Sequence, residues 1–152
     1  MALRAANPDD LLQVEALVRA AYTPWIARIN ATPGPLNDDY ADAIAQGLVQ
    51  VFEADRGVEA LLVLIPQPDA LLLDNLAVHP DAQGKGHGTY LMGVAAQAAI
   101  SQGFDRIRLY THEGMAANIR LYQRHGYAIT HRVTERGLNR VYMEKRLSQP
   151  DT

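Results

Sequence analysis

The chain has 152 residues and a mass of 16.7 kDa, enough for one domain with a core of its own. Hydrophobic residues make up 48% and charged residues 20%, which excludes a disordered tail or a disulfide-stapled miniprotein. Fourteen Lys and Arg against seventeen Asp and Glu give a formal charge of −3, too acidic for global attraction to nucleic acid, and without cysteine there is no thiolate metal site or cysteine nucleophile.

The start, MALRAANPDD, has no apolar run of signal-peptide length. No stretch reaches the roughly 18 apolar residues of a membrane span. The expectation is one domain over 1–148 with a tail at 149–152, soluble and cytoplasmic, binding neither membrane nor nucleic acid. Leu3 to Ala5 reads as a short strand. Pro8-Asp9-Asp10 starts a helix whose apolar face runs from Leu11 to Val18. Ala31-Thr-Pro-Gly-Pro35 is a loop, and a short helix is predicted over Asp38–Gln46. Strand-like runs follow at Leu48–Glu53 and Val58–Ile65, with turn residues Asp55-Arg56-Gly57 between them. A third run, Ala70–Val78, stops at His79-Pro80. Gln83-Gly-Lys-Gly-His-Gly88 then opens a helix predicted from about Thr89 to Gln102. Arg106–Tyr110 alternates as a strand, and Ala116–His125 reads as a helix. Tyr127–Val133 and Arg140–Leu147 form a hairpin around Arg136-Gly137-Leu138-Asn139. The order β-α-α-β-β-β-α-β-α-β-β is that of a mixed α/β (α+β) domain.

Three glycines at alternate positions before a helix let a ligand approach the backbone closely. Backbone N–H groups at a helix start, with the helix dipole behind them, favour a phosphate or pyrophosphate. The loop is not a Walker loop, since Lys85 is followed by Gly86. Its spacing also departs from the dinucleotide fingerprint, and it comes late in the chain. The five histidines (79, 87, 112, 125 and 131) include no close ligand pair, so no metal is expected.

Leu76-Ala-Val-His-Pro80 followed by Gln83-Gly-Lys-Gly-His-Gly88 resembles the acyl-CoA-binding motif of the GCN5-related N-acetyltransferase (GNAT) family. Asn118-Ile-Arg-Leu-Tyr-Gln-Arg-His-Gly-Tyr127 is similar to the family's second hallmark, and the match runs from Leu71 to Tyr127. The resemblance implies a mixed, mostly antiparallel central sheet with flanking helices. It also implies a splayed parallel strand pair, near Leu71–Val78 and Arg106–Tyr110, that holds acyl-CoA. The co-substrate would be acetyl-CoA and the acceptor a small-molecule or peptide amine. The family often dimerises, and no sequence signal decides that here.

The resemblance also assigns roles. The Leu76 backbone N–H polarises the thioester carbonyl, and the segment Leu76, Ala77 and Val78 runs along the pantetheine. Gln83, Gly84, Lys85, Gly86, His87, Gly88 and Thr89 carry the pyrophosphate. Asn118 contacts CoA, and Tyr122 protonates the leaving thiolate. Arg120 and Arg124 are candidates for the 3′-phosphate. A free alkylamine has a pKa near 10.4, so a base or a water chain must take a proton. Asp74 is the candidate base, placed by strict strand alternation on the face of Leu76 and Val78. His79 and His112 are its rivals. Tyr22, Trp25, Arg28, Asp74 and His112 are the acceptor-site candidates, aromatics beside carboxylates being suited to an amine. Ser101 and Ser148 sit in no nucleophile motif, so direct attack in a ternary complex is expected. An acyl-CoA-binding sensor of the same fold is the alternative.

Overall fold

The computed structural model describes residues 2–147; the expected tail at 149–152 and Ser148 lie outside the described residues. Seven strands form one sheet in the order β1-β2-β3-β4-β5-β7-β6: β1 Ala2–Ala5, β2 Val49–Ala54, β3 Gly57–Pro66, β4 Leu71–Val78, β5 Arg106–His112, β6 Ala128–Glu135 and β7 Leu138–Arg146. All neighbours are antiparallel except β4 and β5. The helices are α1 Leu11–Ile29, α2 Tyr40–Ala45, α3 His87–Ser101 and α4 Ala116–Arg124. The element order is the one expected.

Alternating apolar residues give the sheet two cores. Leu61, Val63 and Ala77 pack with Val14, Leu17 and Val18 of α1 and with Tyr40 and Ile44 of α2. On the other side, Leu62, Leu71, Leu73, Ile107 and Leu109 pack with Leu91 and Met92 of α3 and with Tyr122 of α4. Between these layers lies a gap. The parallel pair β4 and β5 is in register only at Leu71↔Ile107 and Leu72↔Arg108, although β4 continues to Val78 and β5 to His112.

Several boundaries differ from expectation, each for a local reason. Helix α1 runs on through Pro24 to Ile29 and stops at Asn30, whose left-handed φ of 54° cannot continue a helix. Asp39, not Asp38, begins α2, its side chain accepting the Asp42 N–H at 3.0 Å. Helix α3 begins at His87 rather than Thr89, because Gly86 at φ 85° is its N-cap.

The strict alternation assumed for β4 also fails. Val63 faces Asn75 but Leu64 faces Leu73, so Asp74 is one residue too many for the ladder. The bulge turns Asp74 and Asn75 to the same side, toward α1, while Leu76 and Val78 pack against the α3 core. Asp74 therefore does not share a face with Leu76 and Val78.

Candidate active site

The gap is where both layers open onto the same backbone. His79 at the end of β4 donates its N–H to Glu59 of β3 at 2.8 Å. Backbone direction alternates along a strand, so the Ala77 N–H also points to β3 and those of Leu76 and Val78 point into the gap. The Leu76 carbonyl on that edge lies 3.4 Å from the Tyr22 hydroxyl of α1.

On the α3 side the gap widens into a groove along the glycine loop and α4. Gly84 and Gly86 have φ of 86° and 85°, which only glycine adopts without strain. A Cβ placed on Gly84, Gly86 or Gly88 would meet nothing within 4 Å, so the loop surface is open to a ligand. The first internal bond of α3 is Tyr90 N–H to Gly86 O at 3.0 Å, which leaves the N–H groups of His87, Gly88 and Thr89 ahead of it. These residues fit a pyrophosphate: they offer free donors, no obstructing side chain and the positive end of a 15-residue helix. The Gln83 N–H is engaged by Pro80 O at 3.4 Å, so only the Gln83 side chain is available to the groove.

Three of the side chains in these segments are engaged elsewhere, which leaves the backbone of Lys85 and His87 to a ligand. Ala77 is buried in the α1 core. Lys85 turns away from the groove to Glu59, its Nζ 3.4 Å from Oε1, and His87 Nε2 lies 2.9 Å from the other carboxylate oxygen. Of the two helix arginines, Arg124 lines the groove and Arg120 does not.

On the α1 side the gap opens into a second cavity lined by Tyr22, Asp74, Asn75, Tyr110, His112 and Arg140, with Pro33-Gly34-Pro35 as one wall. A buried relay shapes it. The Tyr22 hydroxyl donates to Asn75 Oδ1, Asn75 Nδ2 donates to the Tyr40 hydroxyl at 2.9 Å, and Tyr40 donates to Pro35 O at 2.8 Å. Asp74 accepts from the Tyr110 hydroxyl at 3.3 Å. Burial raises the pKa of Asp74 above the ordinary carboxylate value, against the opposing pull of Tyr110 and Arg140. Arg140 covers the Tyr110 ring at 4.5 Å and binds Glu135 at 2.8 Å.

Of the expected acceptor residues, Tyr22, Asp74 and His112 line this cavity and two do not. Trp25 and Arg28 pack on one another further along α1, the guanidinium 5.1 Å over the indole ring. His112 Nδ1 accepts the Gly114 N–H at 2.9 Å. His79 caps a turn at Asp81, away from both spaces. Asn75, Tyr110 and Arg140 were not expected. The pairing His112↔Arg140 that brings β7 alongside is a long-range register, which no local pattern signals.

Leu76, Asn118 and Tyr122 line both spaces. Tyr122, buried on α4, makes no hydrogen bond through its hydroxyl among the described residues, and desolvation pushes its pKa up to about 12. It therefore carries its proton at neutral pH. Among the described residues no group of His, Asp and Glu is placed to hold a metal, and no helix is long and apolar enough to cross a membrane.

Residues 15–127 match the Acetyltransferase (GNAT) family. A mycothiol acetyltransferase of Jonesia denitrificans is 35% identical over 63 residues, which are 41% of this chain and 20% of that protein. The chain thus matches a fifth of the length of this curated relative. The PaiA N-acetyltransferase of Thermoplasma acidophilum, in complex with coenzyme A, superposes with a TM-score of 0.75 at 18% identity, covering 95% of this chain and 98% of its own. The N-acetylglutamate synthase of Neisseria gonorrhoeae, complexed with coenzyme A and N-acetyl-glutamate, gives a TM-score of 0.78 at 18% identity, covering 97% of this chain and 35% of its own. These two likenesses establish the shared fold.

Proposed function

Because the chain belongs to the GNAT acetyltransferase family, we propose that it moves the acetyl group of acetyl-CoA to a primary amine, on a small molecule or a peptide, by direct attack with both substrates bound. The observation that carries this reading is the sharing of Leu76, Asn118 and Tyr122 between the groove and the cavity. A donor in one space and an acceptor in the other would meet at these three residues.

Bound acetyl-CoA supplies an activated acyl thioester. The glycine loop and the start of α3 hold the pyrophosphate, and the backbone N–H of Val78 orients the pantetheine arm. The Leu76 N–H donates to the thioester carbonyl, where charge develops. Asp74 takes the amine's proton, directly or through water, and burial makes it a better base than an exposed carboxylate. Tyr122 gives its proton to the departing thiolate sulfur. No serine or cysteine lines either space among the described residues, which favours direct transfer over an acyl-enzyme.

The test is CoA-thiol release from acetyl-CoA against amino acids, polyamines, aminoglycosides and peptide N-termini, with Tyr122→Phe beside the wild type. Turnover with one amine class, reduced at least about 100-fold in a folded Tyr122→Phe that still binds CoA, is expected. Tight CoA binding without turnover on any amine would favour a sensor instead.

A further inference from the structure

Behind the glycine loop lies a buried carboxylate for which the transfer reaction has no use. Glu59 of β3 is only 4% exposed. The ladder between β2 and β3 slips at this residue: Phe52 faces Ala60, but Glu53 faces Val58, so Glu59 is supernumerary. The slip puts Glu59 and Ala60 on one side. Val58 and Leu61 stay in the α1 core, Ala60 joins the α3 core, and the Glu59 carboxylate reaches the start of α3.

Each of its oxygens takes a different residue of the loop. Oε2 lies 2.9 Å from His87 Nε2 and Oε1 lies 3.4 Å from Lys85 Nζ. Phe52 closes over the imidazole with ring centroids 4.6 Å apart. The Glu59 carbonyl accepts the His79 N–H at 2.8 Å, where β4 leaves the sheet for the loop. Gly86, the left-handed N-cap of α3, is the residue between the two held side chains. A buried carboxylate is costly without partners, so this arrangement persists only while Lys85 and His87 stay where they are.

We infer that Glu59 is a positioning residue for the pyrophosphate cradle, fixing Lys85 and His87 from behind so that the loop's N–H groups converge before the anion arrives. Preorganisation of this kind strengthens binding by removing the cost of ordering the loop. Lys85, the only cation in the loop, acts here as a strut and not as the anion's ligand. The inference rests on the acyl-CoA reading above. It predicts that Glu59 matters only to a donor that carries a pyrophosphate.

The experiment compares acetyl-CoA with S-acetyl-pantetheine, which lacks that group, in wild type, Glu59→Gln and Glu59→Ala, with CoA affinity measured by calorimetry. Glu59→Gln is nearly isosteric, removes the charge and turns one of the two acceptor oxygens into a donor, so it decides the matter if Glu59→Ala does not fold. Expected are a Kd for CoA and a KM for acetyl-CoA raised about 10-fold in Glu59→Gln, with kcat at saturation within about twofold. The kcat/KM for acetyl-pantetheine should stay at the wild-type value. Equal losses with both donors, or unchanged CoA affinity in the folded variant, would overturn the inference while leaving the acyl-CoA reading intact. A wild type that binds no CoA at all would overturn that reading first, and this inference with it.

Discussion

Asp74 and Tyr122 stand on opposite sides of the gap, and burial raises the pKa of both. Tyr122, at about 12, is protonated throughout the neutral range, although the shift makes it a weaker acid than an exposed tyrosine. Asp74 lies above the ordinary carboxylate value because the cavity desolvates it. Its base form is lost as pH falls through that raised pKa, so activity should fall on the acid side earlier than an exposed aspartate would allow. A profile of kcat/KM against pH from 4 to 9 should show this limb in the wild type. In Asp74→Asn the plateau should drop about 100-fold and the limb should vanish. An unchanged limb in Asp74→Asn would assign the proton transfer to another group, with His112 next in the cavity.

At the scale of the strand, the two bulges do the same thing in two places. Each inserts one acidic residue, Glu59 in β3 and Asp74 in β4, without changing which apolar neighbours face which core. Deleting Asp74 should therefore leave Leu73 on the α3 side and Asn75 on the α1 side, and the ladder with β3 would close regularly. That variant is expected to fold, with a melting temperature within a few degrees of Asp74→Asn, and to be as inactive. Deleting Leu72 should fail to fold, because it turns the fully buried Leu71 to the wrong face. Thermal unfolding followed by circular dichroism separates the two outcomes.

The bulges also mark what the sequence could and could not reveal. Turn residues and apolar periodicity made the element order legible, and the alternate glycines marked a loop suited to an anion, whereas Asn118 and Tyr122 were singled out only by the family resemblance. An extra strand residue has no composition of its own, so Glu59 and Asp74 looked like ordinary members of alternating runs. Trp25 and Arg28 share α1 with Tyr22, but a helix advances about 1.5 Å per residue, and three or six positions carry a side chain past the mouth of the cavity. Arg140 needed the β5–β7 register, which is set by tertiary pairing.

For the whole molecule, the gap is also the weakest seam of the sheet. Strands β1 to β4 meet β5 to β7 through only two register pairs, and below them the halves are held by the core under α3. A ligand reaching the Leu76 and Val78 edge from one half and Asn118 and Tyr122 from the other would bridge this seam. CoA at about 100 times its Kd adds roughly 2.7 kcal/mol to the stability of the folded state. For a domain of this size that raises the melting temperature by roughly 5–10 °C. The location of the effect is the sharper test. By hydrogen exchange, CoA should slow the amides of Leu76 and Val78, which point into the gap, together with those of the glycine loop. The amides of β1, at the far edge of the sheet, should exchange as before. Slowing confined to the glycine loop would mean that the ligand binds by its phosphates alone and leaves the gap between β4 and β5 empty.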